Sequence, residues 1–170
     1  MQGMDDLTLI KIRFALQDLN TAFTRNLDHG NIEELVDLFT ADALYTHAKR
    51  RSQGRDEIRK LFVARAEAGV RTVRHLASGL KLDIDSESAA RGSSVCITFA
   101  HDGPAPAPHA TAHLVADFED VYRLCDDGKW RIAVRHIHRI FVAGDNTGPV
   151  GGGGFMGGVF GARKRHGETG

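Results

Sequence analysis

Residues 27–47 read LDHGNIEELVDLFTADALYTH, and the reading of this stretch decides the fold. It closes one amphipathic helix, starts a second and runs into a strand. Upstream, Leu9, Ile12, Leu16, Leu19, Phe23 and Leu27 recur at steps of three and four, one face of a helix. Gly30 can end that helix in the left-handed conformation that glycine adopts without steric cost. Asn31 is then the expected N-cap, with Glu34 three residues on as its partner in a capping box. The second helix carries Leu35, Leu38 and Phe39, and the short apolar run Ala43–Thr46 predicts a strand. This joint leaves Asp28 just past the apolar stripe of the first helix and Tyr45 inside the strand.

Downstream, Gly54 precedes a third helix over Arg55–Ala68, with Ile58, Leu61 and Phe62 inward and Gly69 at its end. The rest is strand-like. Thr72–Leu76 and Leu80–Ile84 make one element kinked at Ser78–Gly79, and Ala89–Ala100 makes another. Residues 102–108, DGPAPAP, form a loop, since proline cannot donate to a sheet ladder. His109–Arg123 and Lys129–Val142 are long strands joined by a hairpin at Asp127–Gly128. Three helices followed by four long antiparallel strands predict an α+β fold. The expected packing is a bent sheet around the helices, with one pocket between the first helix and the concave face. In the last strand Trp130, Ile132 and Val134 share a face with His136, which makes that face core or pocket lining. Arg131, Arg135 and Arg139 are then expected on the opposite face, toward solvent or a subunit interface. Cover for that outer side predicts a homodimer or homotrimer through the convex sheet face.

Composition narrows the function classes. A length of 170 residues suits one domain. Formal net charge is +0, so bulk electrostatics offers no case for nucleic acid or an acidic membrane surface. No apolar run approaches the roughly 20 residues needed to span a bilayer. Cys96 and Cys125 make no disulfide framework, and the N-terminus lacks a signal-peptide pattern, so a cytoplasmic address is expected. The domain is expected to span residues 1–143. Beyond it glycine supplies 11 of the last 27 residues, with Phe155, Met156, Val159 and Phe160 among them. That tail, 144–170, reads either as an end without regular structure or as an apolar lid.

The pattern resembles a known family. A helix, D-x-G-[DN], a helix ending in LF-x-x-D-A-x-Y, G-R-x-x-I, then R-H-L-x-S-G and a closing D-G-x-W-R-I are similar to the SnoaL-like branch of the nuclear transport factor 2-like superfamily. The resemblance covers roughly residues 7–142 and implies a cystatin-like α+β cone: a strongly curved sheet closing on helices around a pocket. Members include scytalone dehydratase, hexachlorocyclohexane dehydrochlorinase, polyketide cyclases, the small subunit of ring-hydroxylating dioxygenases and pure binding proteins. The two named first share an Asp–His pair, and Asp28 and His75 stand at the matching positions. Tyr45 matches a tyrosine of scytalone dehydratase, and His101 lies near its second histidine. Leu27 replaces that enzyme's second tyrosine, and its Ser and Asn find no match. The dehydrochlorinase's Arg and Lys are not placed. The pair is thus carried over, while substrate recognition is not.

The chemistry of such a pair is simple. An imidazole with an ordinary pKa near 6.5 can take a proton at neutral pH. A carboxylate accepting its other N–H fixes the tautomer and stabilises the imidazolium. Such a base removes a C–H proton beside a leaving group or carbonyl, the step common to elimination, dehydration and isomerisation. The expected site is therefore Asp28 and His75 as the catalytic dyad, with Tyr45, His101 and His136 toward a small apolar, polycyclic or aromatic ligand, and no cofactor. A competing reading makes Asp28 a cap at a helix joint and His75 a satisfied core histidine. Function divides likewise between a lyase or isomerase and a non-catalytic ligand-binding protein or structural subunit. His136-x-His138 and His109-x3-His113 could offer imidazoles to a metal if their faces met, but pocket lining is the expectation and no metal is assigned. Cys96 reads as a small core residue rather than a nucleophile.

Overall fold

The structure is a computed structural model and describes residues 4–143. Helix α1 spans Asp6–His29, capped by Asp5, whose carboxylate accepts from the Thr8 amide at 2.9 Å. Its buried stripe is Ile12, Leu16, Leu19, Asn20 and Phe23. One polar residue, Asn20, thus sits inside the apolar stripe. Gly30 closes the helix at φ 72°, with its amide on the Asn26 carbonyl.

Helix α2, Ile32–Asp37, is shorter than expected. Leu38 is its C-cap, and Phe39 already belongs to strand β1, Phe39–His47. The cause is pairing: the Ile132 amide donates to the Leu38 carbonyl at 2.8 Å, so the chain leaves the helix to join the sheet. The capping box is absent as well. The Asn31 side chain makes no cap bond and instead donates from Nδ2 to Asn26 Oδ1 at 3.3 Å. Its ψ of 75° lies outside the extended range a capping residue needs.

Strand β2, Arg50–Gln53, was not expected, because RRSQ has no apolar alternation. It is an edge strand, held to β1 through pairs such as Tyr45–Ser52 and His47–Arg50. Helix α3, Arg55–Glu67, follows and buries Ile58, Leu61 and Phe62. Arg55 fixes it to the start of β1, donating from Nη2 to the Phe39 carbonyl at 2.6 Å.

Four long strands complete the sheet: β3 Arg71–Ile84, β4 Ala89–Asp102, β5 Ala112–Leu124 and β6 Trp130–Val142. The kink expected at Ser78–Gly79 is a register shift inside a continuous β3, between Ser78 and Lys81. Strand β5 starts at Ala112 rather than His109. The hairpin turn holds Gly128 at φ 75°, and Asp127 Oδ1 accepts from the Lys129 amide at 3.2 Å. The sheet order is β2-β1-β6-β5-β4-β3; only β1 and β6 run parallel. This is an α+β fold in which helices pack against a curled six-stranded mixed sheet, and α1 lies on its inner face. No described helix is long and apolar enough to cross a membrane. The Gly-rich stretch 144–170 lies outside the described residues.

One expectation about β6 is overturned. Arg131, Arg135 and Arg139 do not share an outward face. The register shifts between Val121 and Tyr122: Val121 pairs with Val134, but Tyr122 pairs with Ile132. The extra residue reverses which side the following positions face. Arg135 therefore joins Ile132 on the inner face and is fully buried, while Arg131 packs at the other side against Asp37 and Asp127. By the same shift His136 stands on the outer face, not with Ile132.

Candidate functional site

The end of α1 places Asp28 over β3. Its Oδ1 lies 2.6 Å from His75 Nδ1, and its Oδ2 accepts the His75 backbone amide at 3.1 Å. A carboxylate can only accept, so Nδ1 carries the proton of this bond and Nε2 is left as the basic nitrogen. The side chains are 8% exposed for Asp28 and 16% for His75. The pair is thus largely shielded from water, with the imidazole the more exposed of the two.

His75 shares the inner face of the sheet with small neighbours. It pairs with Thr98, and the next inward pair is Ala77 with Cys96, which in turn pairs with Ala116. Cys96 is buried, and burial pushes its thiol up to about 11, so it is not a nucleophile at neutral pH.

Two ladder rows further, the inner face carries a buried polar cluster. Arg135 Nε donates to Asp120 Oδ1 at 2.7 Å, and Nη2 donates to Asp120 Oδ2 at 2.7 Å and to Asn20 Oδ1 at 2.6 Å. Tyr122 Oη donates to Asp120 Oδ2 at 2.6 Å and accepts from Asn20 Nδ2 at 2.9 Å. This is why α1 carries an asparagine in its buried stripe. The guanidinium also lies over Phe23 and Phe118, 4.2 and 4.8 Å from the ring centroids. Among the described residues, Arg135 Nη1 is the buried side-chain nitrogen or oxygen with no hydrogen-bond partner. The Cys96 thiol feels both the Asp28 carboxylate and the Arg135 guanidinium, which puts the cluster and the dyad on one stretch of the inner face. Sequence reasoning missed Arg135; the signal available was the pairing of Asn20 within the helix stripe with Asp120 and Tyr122 at alternate strand positions.

The other expected residues divide. Tyr45 is buried on the inner face, edge-on to Phe39 and Phe62 at 6.0 and 5.8 Å. His101 pairs with Thr72, one position out of phase with the His75–Thr98 pair, so it faces the other side of the sheet from His75. His136 is on that outer side too, with Thr46 Oγ1 2.7 Å from its Nδ1. His138 beside it meets Glu119 at 3.1 Å. The structure therefore brings together Asp28 and His75, keeps Tyr45 on the same face, and separates His101 and His136 from them. Among the described residues, no group of three His, Cys, Asp or Glu side chains is placed to hold a metal ion.

A second polar centre surrounds His47 at the end of β1. Arg139 Nε donates to His47 Nε2 at 3.1 Å. Burial, and then the charges of Arg139, Arg65 and Arg50, hold the His47 imidazole down at about 3. Arg139 also acts on His113, whose ring lies 3.2 Å from Arg71 Nη2 and whose pKa is lowered by burial and by Arg71.

Comparison with known proteins agrees with this architecture. No curated protein matches the chain. Among solved structures, a scytalone dehydratase-like protein from Novosphingobium aromaticivorans DSM 12444 superposes with a TM-score of 0.71 at 22% identity, covering 82% of this chain and 91% of that one. LinA superposes with a TM-score of 0.70 at 19% identity, covering 84% and 96%. A protein from Catenulispora acidiphila, solved in complex with S-DNPA, gives 0.67 at 21% identity, covering 76% and 94%. At these identities the likeness is one of fold. The sequence profile of the SnoaL-like domain matches residues 10–136, and the chain belongs to that family, within the nuclear transport factor 2-like superfamily.

Proposed function

We propose that the protein is a cofactor-independent lyase or isomerase acting on a small, mostly apolar cyclic or aromatic molecule. The observation that carries this reading is the bond between Asp28 Oδ1 and His75 Nδ1 at 2.6 Å on a partly accessible inner face. His75 Nε2 takes a proton from a carbon next to a leaving group or carbonyl. In elimination the C–H electron pair forms the new double bond, and the leaving group departs with its own pair. In isomerisation the imidazolium returns the proton to a different carbon. Asp28 keeps the ring in the productive tautomer and stabilises the imidazolium. The Catenulispora acidiphila protein, similar in fold, was solved in complex with S-DNPA, which supports a ligand-binding reading.

A test that needs no known substrate is proton exchange. Cyclohexanone and 2-tetralone, incubated with the protein in deuterated buffer, lose α-protons if a base reaches them. The expected result is protein-dependent exchange that disappears in His75→Gln. Exchange that is absent, or unchanged in the variant, favours the second reading, a non-catalytic subunit or binding protein. One observation supports that alternative: Phe23, Phe118 and Tyr45 already fill the interior around Arg135.

A homo-oligomer through the outer sheet face belongs to the same proposal, on new grounds. Leu76, Ile97, Val115 and Phe141 pair in one row across β3, β4, β5 and β6, and Leu76 and Phe141 are 56% and 68% exposed. Light scattering that returns the mass of a single chain at all concentrations overturns this part.

A further inference from the structure

The chain as a whole is electrically balanced, yet one groove in it is not. A cavity of about 370 Å³ lies between β2 and α3, lined by Arg50, Arg51, Ser52, Glu57, Lys60, Leu61, Ala64 and Arg65. Its volume falls in the range of small-molecule sites. The α3 members, 57, 60, 61, 64 and 65, recur at steps of three and four and so share one helix face. Four of the lining residues are cations and one is an anion. Glu57 keeps its charge while its Oε2 accepts the Gln53 backbone amide at 2.7 Å, and Arg51 Nη2 donates to Gln53 Oε1 at 3.1 Å, so the lining remains cationic by a net three charges. Leu61 gives the groove an apolar floor, buried to 9% exposure. Arg65 lies over the Phe62 ring, 5.7 Å from its centroid, which holds its guanidinium in place.

We propose that the groove between β2 and α3 binds an anionic small molecule, one bearing a carboxylate or a phosphate. Guanidinium groups offer forked donors that match either anion, and Lys60 adds a point charge. The neighbouring His47 supports the assignment. After burial, the charges of Arg139, Arg65 and Arg50, from three different elements, also lower its pKa, so positive charge gathers at this end of the molecule. A bound anion would weaken that field and make His47 easier to protonate. The groove is made of residues other than Asp28 and His75, and the proposal stands apart from the catalytic reading.

The test is an NMR titration of the full chain with inorganic phosphate and, separately, with acetate, at ionic strength held constant with chloride. The expected result is saturable shifts of the Ser52, Leu61 and Ala64 amides, with binding weakened about tenfold in Lys60→Gln or Arg65→Gln and unchanged in His75→Gln. His47 should also titrate at higher pH when the anion is bound. Tighter phosphate binding assigns a phosphorylated ligand and tighter acetate binding a carboxylic acid. Shifts that do not saturate, that chloride reproduces, or that persist unchanged in both groove variants overturn the proposal. Lys60 is exposed on α3, so Lys60→Gln is not expected to disturb folding.

Discussion

Asp28 holds His75 twice, through the ring at 2.6 Å and through the backbone amide at 3.1 Å. One carboxylate at the end of α1 thereby fixes both the position of β3 beneath it and the tautomer of the imidazole. Either bond alone would be compatible with a helix-joint cap. The two together hold the ring with Nε2 directed away from the carboxylate, which is the arrangement the proposed base needs.

Replacing Asp28 by Asn should separate these roles. The amide keeps the shape but can accept through one oxygen only, and its NH₂ group can donate to Nδ1 instead. The expected outcome is a shift of His75 toward the tautomer protonated at Nε2, visible in the ¹⁵N shifts of the ring. Any proton-exchange activity should fall about 10²- to 10⁴-fold. An unchanged tautomer would show that Asp28 does not set the ring's state.

The Arg135–Asp120 pair has both side chains fully buried. Truncating one partner leaves the other charge buried without compensation, a loss of roughly 3–5 kcal/mol. Arg135→Ala should therefore lower the urea midpoint sharply. Arg135→Lys should recover only part of the loss, since one ammonium cannot reproduce the fork that meets both Asp120 oxygens and Asn20 together. Equal stability of the Ala variant and the parent would contradict the cluster's structural role.

His47 predicts an acid-sensitive term. Its folded pKa, about 3, lies below the ordinary value of 6.5, so between these values the unfolded chain binds the proton first. Stability from this group is present above pH 6.5 and is lost as pH falls toward 3, by no more than about 1.4 kcal/mol per pH unit. His113, lowered by burial and Arg71, acts in the same direction. His47→Gln can still accept from Arg139 and does not titrate. Its urea-derived stability should be flatter than the parent's between pH 4 and 6.5.

Gly92 is required by a close approach. A Cβ there would lie 2.9 Å from Tyr122 Cε2 and 3.2 Å from the Lys81 carbonyl oxygen. Gly92→Ala should push the Tyr122 ring aside and strain its bond to Asp120, at about 1–3 kcal/mol. Urea unfolding of the variant measures the cost, and a neutral result would mean that the ring has room to move.

Much of the fold was legible because it follows local rules. The step of three and four from Leu9 to Leu27 set α1, Gly30 ended it, and Asp127–Gly128 made the last hairpin. The α+β class followed from the order of elements. The resemblance in the R-H-L segment paired Asp28 with His75, and the structure places them in contact. What failed was decided by pairing between distant segments. Phe39 left helix α2 because the sheet at Leu38 and Ile132 claimed its backbone, and the polar run Arg50–Gln53 became a strand because β1 offered an edge. Strict alternation sent Arg135 outward and His136 inward; one bulge near Ala133 exchanged them, and a bulge has no mark in a sequence of strand formers. The sequence by itself determined the order of the helices and the main turns, because these depend on residues close in the chain, and one motif pointed to the Asp28–His75 contact. Only the tertiary structure decided which face each β6 side chain takes, since that depends on register between strands and not on any local preference.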